Sequence, residues 1–240
     1  MKYLLVAMAL GAVASVQALE IVQWDFNSLP SDNSSTTGTL TPNINLTSGA
    51  LTTIGLSTAL AYGSGNANGG STDPDTTNND SGLQTTGYPA QGANNKTAGI
   101  QALGSTVGYK DIVIKFDQRH SNTSSKYVQV QYTLNGTTWV DAPSGTFNAT
   151  AGDTWYNART VDLSSISGAN NNANFGFRVV SAFGPSNTYE ASNPANTYAG
   201  TGTYRFDMVT ISGTAVPEPS SLIALGAATC LFFVRRRNSA

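Results

Sequence analysis

The chain has 240 residues, of which 11% are charged, with 12 Lys and Arg against 14 Asp and Glu and a formal net charge of −2. Lys2, Arg235, Arg236 and Arg237 lie in the two terminal segments, so the body between them is acidic and unsuited to nucleic acid. The one cysteine, Cys230, excludes a disulfide within a single chain. A domain of about 200 residues can do without one, because it buries roughly 70% of its unfolded surface in a single core.

Residues 1–18 carry one positive charge at Lys2, an apolar stretch from Leu4 to Val16 and the small-x-small step Val16-Gln17-Ala18. This pattern predicts a signal-peptide helix cut by signal peptidase between Ala18 and Leu19, and hence an exported chain. The body then runs from 19 to 214. "EIVQWDF" (20–26) predicts a first strand, and residues 28–99 are rich in Ser, Thr, Asn and Gly and predict a loop-rich stretch. Within it, "DPDTTNNDSG" (73–82) places Asp73, Asp75, Thr77 and Asn79 at alternate positions, like the first half of an EF-hand calcium loop. Asn78 stands where that loop needs its turn Gly, and Gln84 where it needs its closing Glu.

Beyond residue 99 the alternation becomes regular. In "DIVIKFDQRH" (111–120), Ile112, Ile114 and Phe116 alternate with Val113, Lys115 and Asp117, a strand with one buried face. In "KYVQVQYTLNGTTWV" (126–140), Val128, Val130, Tyr132 and Leu134 oppose Gln129, Gln131 and Thr133. Asn135-Gly136 predicts a type I′ hairpin turn returning through Trp139. "NARTVDLSSI", "NANFGFRVVSAF" and "TYRFDMVTISG" add three more strands, and the body shows no amphipathic helix. Many short strands with Gly- and Asn-rich turns predict an all-β fold, a jelly-roll-like antiparallel β-sandwich. The series from Ile112 to Gly213 resembles the lectin-like and carbohydrate-binding jelly rolls of bacterial surface proteins, a likeness that implies fold and not ligand.

The segment 215–240 ends the chain. Val216-Pro217-Glu218-Pro219 precedes an apolar helix over 220–234 and the basic cluster Arg235, Arg236 and Arg237. At about 1.5 Å per residue that helix is on the order of 22 Å long, shorter than the roughly 30 Å hydrocarbon layer, so it spans only with thinning and arginine snorkelling. The basic cluster holds its own end in the cytoplasm. Pro217 and Pro219 keep Glu218 in extended, accessible backbone. Tripeptide, helix, basic tail and terminal position together resemble the PEP-CTERM sorting signal of Gram-negative bacteria. The resemblance implies that an exosortase, a membrane-embedded transpeptidase, recognises Pro217, Glu218 and Pro219. It further implies that the tail is removed after transient inner-membrane insertion, leaving the mature protein at the cell surface or in the extracellular matrix.

The candidate chemistry of the body is sparse. His120, the one histidine, reads as a polar loop residue at a strand end, with no nucleophile-elbow pattern to serve it. Zinc sites need more Cys and His than the chain has, whereas calcium takes oxygen ligands; Asp25 and Asp207 form a candidate calcium pair if the first and last strands are neighbours. Glu20, Glu190 and Glu218 are the only glutamates, which leaves no local carboxylate pair for glycoside hydrolysis. Trp139, Trp155, Tyr156, Tyr189 and Tyr198 fall near turns and are the candidate glycan-stacking residues. The sequence therefore predicts an exported, non-catalytic surface or matrix protein associated with exopolysaccharide. Its alternative is a carbohydrate-binding module that recognises a glycan through exposed aromatics.

Overall fold

A computed structural model describes residues 17–217. The signal-peptide helix upstream of Ala18, the helix over 220–234 with Cys230, Glu218 and Pro219 of the sorting motif, and Arg235, Arg236 and Arg237 lie outside the described residues. Among the described residues no helix is long and apolar enough to cross a membrane.

Among the described residues twelve strands form two antiparallel sheets. In chain order they are β1 (Ala18–Trp24), β2 (Ile44–Asn45), β3 (Gly49–Ile54), β4 (Ala61–Ser64), β5 (Ser81–Thr85), β6 (Gly99–Gly104), β7 (Tyr109–His120), β8 (Tyr127–Thr133), β9 (Val140–Asn148), β10 (Thr154–Asp162), β11 (Gly176–Ala182) and β12 (Tyr204–Ala215). The five-stranded sheet has the order β3-β6-β11-β8-β9, and the seven-stranded sheet β10-β7-β12-β1-β2, with β5 and then β4 added beside β12. At 12 residues β12 is long enough to hold β7 along one edge while pairing β5 through Tyr204–Phe206 and then β1 from Val209 onward along the other. The stretch 28–99 is mostly loop, but four short strands, β2 to β5, arise within it, with Leu51 of β3 and Leu83 of β5 buried against the core.

Period-two alternation sends Ile112, Ile114 and Phe116 of β7, Val209 and Ile211 of β12, and Val22 and Trp24 of β1 into one core. They meet Ile100 and Ala102 of β6, Val128 and Val130 of β8, and Phe177 and Val179 of β11 there. Aromatic rings interlock across the gap, Phe116 standing at 87° to Phe147 with ring centres 5.7 Å apart.

Three local readings change. Leu134 is 37% exposed and Thr133 is buried, the reverse of the strand pattern, because β8 ends at Thr133. The connection to β9 is not a type I′ turn: only Gly136 has a positive φ, 78°, and the side chain of Asn135 accepts the backbone N–H groups of Thr137 and Thr138 at 3.0 and 2.8 Å. That side-chain capping suits a wider loop over 134–139. Asp117, expected on the solvent face, is fully buried and accepts from Thr72 N–H, Thr72 Oγ1 and Ala158 N–H at 2.5, 2.6 and 2.6 Å.

His120 is also buried, at 0% exposure, and is not a loop residue. Its Nδ1 lies 3.1 Å from the carbonyl of Ser125, which can only accept, so the proton sits on Nδ1. Nε2 then accepts from the guanidinium of Arg159 at 3.1 Å, and the rings of Tyr204 and Tyr156 flank the imidazole. Burial, followed by the Arg159 charge, holds its pKa well below the ordinary 6.5. Below that value the unfolded chain takes up a proton that the folded protein refuses, so folding stability falls as pH drops, by up to about 1.4 kcal/mol per pH unit for this one group. Chemical denaturation between pH 7.5 and 5 is expected to show this slope, and His120→Gln to remove it; parallel pH profiles for the two proteins would refute the assignment.

Candidate functional site

Two places bring functional groups together. The first lies where the start and end of the body meet. β1 and β12 are neighbours, with Trp24 opposite Val209, so Asp25 at the exit of β1 and Asp207 of β12 sit at the same end of one sheet. The register of β12 against β7 shifts between Asp207 and Thr210, and Met208 takes a φ of 47°, a bulge that re-aims the local side chains.

The loop over residues 65–80 folds against this corner. Gly65 N–H donates to the carbonyl of Asp80 at 3.0 Å, and Ser71 N–H to the carbonyl of Gly65 at 2.9 Å. Oxygens of Asp73, Asp80 and Asp207 converge to within 4.8 Å of one another. The EF-hand-like positions behave differently from that motif. Asp75 caps Thr77 N–H at 2.8 Å, and Thr77 caps Asn79 N–H at 3.2 Å, so these side chains fold their own loop. Of the expected Asp25–Asp207 pair only Asp207 belongs to this group, only Asp73 of the EF-hand-like series joins it, and Asp80, which neither sequence argument singled out, supplies the third carboxylate.

The electrostatics of this corner are unfavourable. Asp80 is 1% exposed with neither carboxylate oxygen hydrogen-bonded, and Asp207 is 0% exposed with Oδ2 unpartnered. Burial, then the charges of Asp73, Asp75 and Asp25, pushes the Asp80 pKa up to about 7. Burial raises that of Asp207 well above the usual carboxylate range, and burial likewise raises Asp25 and Asp73. Arg205 is the neighbouring cation, but its guanidinium donates to Ser64 O and Gln84 Oε1, at 2.7 and 2.6 Å, rather than to Asp80.

The second place is the face of the five-stranded sheet turned away from the core. Residues flanking core positions alternate outward, and register aligns Thr52, Gln101, Arg178, Gln131 and Asp141 across all five strands. Arg178 Nε donates to Gln101 Oε1 at 2.7 Å, and its guanidinium stacks 3.8 Å from the ring centre of Trp139. Gln131 Nε2 donates to Asp141 Oδ1 at 3.0 Å, and Lys96 pairs with the other oxygen of Asp141 at 2.5 Å. Burial pulls the Asp141 carboxyl up, but hydrogen bonds from Lys96 and Gln131 outweigh it and hold the group below its ordinary value. A partly buried indole thus lies beside a row of forked amide, guanidinium and carboxylate groups. Tyr132, Leu134, Asn135, Thr138 and Val140 line a separate shallow groove.

The remaining candidate aromatics are not free platforms. Trp155 is 8% exposed and its indole N–H donates to Ala67 O at 2.8 Å. The Tyr156 hydroxyl accepts Thr150 and Ala151 N–H groups at 2.8 and 2.7 Å, and its ring is packed by both Arg159 and the buried His120. Tyr189 and Tyr198 stack on each other, 4.6 Å apart, at 1% and 8% exposure, and present edges to a polar hollow of about 390 Å³ beside Lys126 and Glu190. Trp139 alone of the five lies in an accessible polar row, and what set it apart was its place after the Asn135-Gly136 turn.

No protein-family model matches the chain, and no curated protein does. Among solved structures, it is similar to the N-terminal CBM22-1-CBM22-2 tandem domain of Paenibacillus barcinonensis Xyn10C, at 13% identity and a TM-score of 0.44, covering 86% of this chain and 49% of that one. The chain therefore spans about half the length of that structure. It is also similar to the K2 cleaved adhesin domain of Lys-gingipain, at 12% identity and a TM-score of 0.39, over 79% of this chain and 97% of that one. The K1 adhesin domain from Porphyromonas gingivalis W83 follows, at 14% identity and a TM-score of 0.36, over 70% and 91%.

Proposed function

We propose that this chain is an exported, non-catalytic protein of the cell surface or extracellular matrix that binds polysaccharide on the outer face of its five-stranded sheet. The observation that carries the reading is the row Gln101, Arg178, Gln131 and Asp141 beside Trp139. A sugar needs an apolar surface for its C–H face and forked donors and acceptors for its hydroxyl pairs, and the indole and its neighbours supply both. The Ser192 hydroxyl beside His120 argues for no nucleophile: its Oγ lies 3.1 Å from the protonated Nδ1, both groups are fully buried, and an arginine rather than a carboxylate faces the other nitrogen.

Export and sorting rest on the terminal segments. Ala18 opens β1 opposite Thr214 and is exposed with Leu19, so cleavage between them would cost the sheet a single end pair. Val216 N–H still bonds Gly108 O at 2.8 Å, and Pro217 is the first residue of the sorting tripeptide. Intact-mass and C-terminal peptide mapping of protein recovered from cells is expected to show a start at Leu19 and loss of the Arg235–Arg237 tail. Retention of that tail in the inner membrane would overturn the sorting reading.

Binding is tested by native gel electrophoresis in xylan, β-glucan and alginate. Retardation of the wild-type protein in at least one gel is expected, and Trp139→Ala should weaken it about thirtyfold, the equivalent of roughly 2 kcal/mol at an interface anchor. No retardation in any gel, or equal retardation of both proteins, would reject this face as the site.

A further inference from the structure

We propose that Asp73, Asp80 and Asp207 form a binding site for one calcium ion, which clamps the loop over residues 65–80 onto the bulge of the last strand. The inference is independent of polysaccharide binding, since the sheet-face row belongs to the other sheet.

Three buried carboxylate oxygens, both of Asp80 and Oδ2 of Asp207, have no hydrogen-bond partner. Polar atoms this deeply buried are almost always satisfied, and an unpaired buried carboxylate is costly, so a positive partner is what the geometry calls for. Among the described residues the ion pairs are Lys96–Asp141, Lys110–Asp111 and Arg119–Asp153, and none reaches the cluster. The nearby Asp117 makes the contrast, because three donors satisfy it and it is not needed as a ligand.

The donor set selects the ion. Every candidate ligand is an oxygen, with no Cys or His in the group, which disfavours zinc and copper. Two oxygens on one calcium at about 2.3–2.6 Å can stand up to about 5 Å apart, and the convergence to within 4.8 Å fits that reach. Magnesium keeps several waters and an octahedral shell, whereas Asp80 and Asp207 are buried and leave little room for such a shell. Asp73 already has other work, with Oδ1 accepting Asp75 N–H at 2.7 Å and Oδ2 accepting Asn27 Nδ2 at 3.0 Å, yet each oxygen keeps a second lone pair. Asn27 in turn accepts Ser81 N–H at 2.8 Å, which fixes the step from Asp80 into β5 and so presents Asp80 from rigid backbone. The ion would thus join segments far apart in the chain, and its removal would release the loop first.

The test is calorimetric titration of the EDTA-treated full chain with CaCl2, paired with thermal unfolding in CaCl2, MgCl2 or NaCl at equal ionic strength. One ion per chain is expected, with a dissociation constant of about 10⁻³ M or tighter. The folding equilibrium constant should rise about tenfold for each tenfold excess of calcium over that constant. Asp80→Asn and Asp207→Asn should each weaken binding at least tenfold. Their metal-free forms should nevertheless melt above the metal-free wild type, since an amide removes a like charge from the corner. Glu20→Gln, an exposed change on β1, should keep the full calcium response. Identical wild-type melting in calcium and EDTA, an equal shift with magnesium or sodium, or unimpaired calcium binding by Asp80→Asn and Asp207→Asn would each overturn the proposal. Should either variant fail to fold, the wild-type comparison of the three salts still decides it.

Discussion

Phe116→Ala is expected to cost about 3–5 kcal/mol, the usual range for removing a fully buried phenyl ring. Phe116 has no exposed surface and stands at the centre of β7, where its ring meets Phe147 edge-on at 5.7 Å and Phe206 at 6.5 Å. Phe206 belongs to the adjacent strand of the same sheet and Phe147 to the opposite sheet, so one side chain links both layers. The cavity could not close readily, because strands on either side of β7 fix the backbone through their ladders. Typical domains have about 5–15 kcal/mol in all, so this change alone would remove a large share of it. The midpoint of thermal unfolding should drop by on the order of 10 °C, and Phe116→Leu should recover most of the loss. A loss below about 1 kcal/mol in denaturant titration would mean that the sheets do not pack through this ring.

Gly65→Ala should have the second largest effect, through the acidic corner. A Cβ at position 65 would stand 1.7 Å from Asp80 Oδ1 and 2.5 Å from its Cγ, far inside contact distance. The backbone cannot slide away, because Gly65 is tied to Asp80 O on one side and to Ser71 N–H on the other. The carboxylate of Asp80 must therefore swing out, at a cost of about 1–3 kcal/mol for the overpacked site. The calcium-dependent rise in melting temperature should disappear with it. Combining Gly65→Ala with Asp80→Ala removes the colliding atoms, so the double variant should be more stable than the sum of the single losses allows. Strict additivity in that cycle would show that the two residues are not in contact.

The strands around the core were legible because burial imposes a period of two, and Ile112, Ile114 and Phe116 or Val128 and Val130 display it directly. The same rule misjudged Asp117, Leu134 and Thr133. Alternation assigns faces but carries no information about a loop that covers one face, as Thr72 covers Asp117, or about where a strand stops. β2 to β5 went unseen for a related reason. Strands of two to six residues without a clean two-residue alternation are held by neighbours in the sheet rather than by their own pattern. His120 was misread as solvated because its polar partners, Ser125, Ser192 and Arg159, come from three other segments.

Composition and terminal motifs by themselves determined that the body is an acidic, cysteine-free β protein flanked by the two segments that carry the export and sorting readings. Local physics suffices there, since helix length, charge placement and two-residue periodicity are properties of neighbouring residues. Only the tertiary structure decided which carboxylates share a corner and which aromatic stays accessible. The pairing of β1 with β12 set Asp25 and Asp207 at one end of the sheet, folding of the loop over 65–80 added Asp73 and the unforeseen Asp80, and the register of five strands put Arg178 under Trp139 while burying Trp155. Those facts depend on contacts between residues up to nearly two hundred positions apart, and side-chain chemistry read along the chain does not encode which distant partner each group will meet.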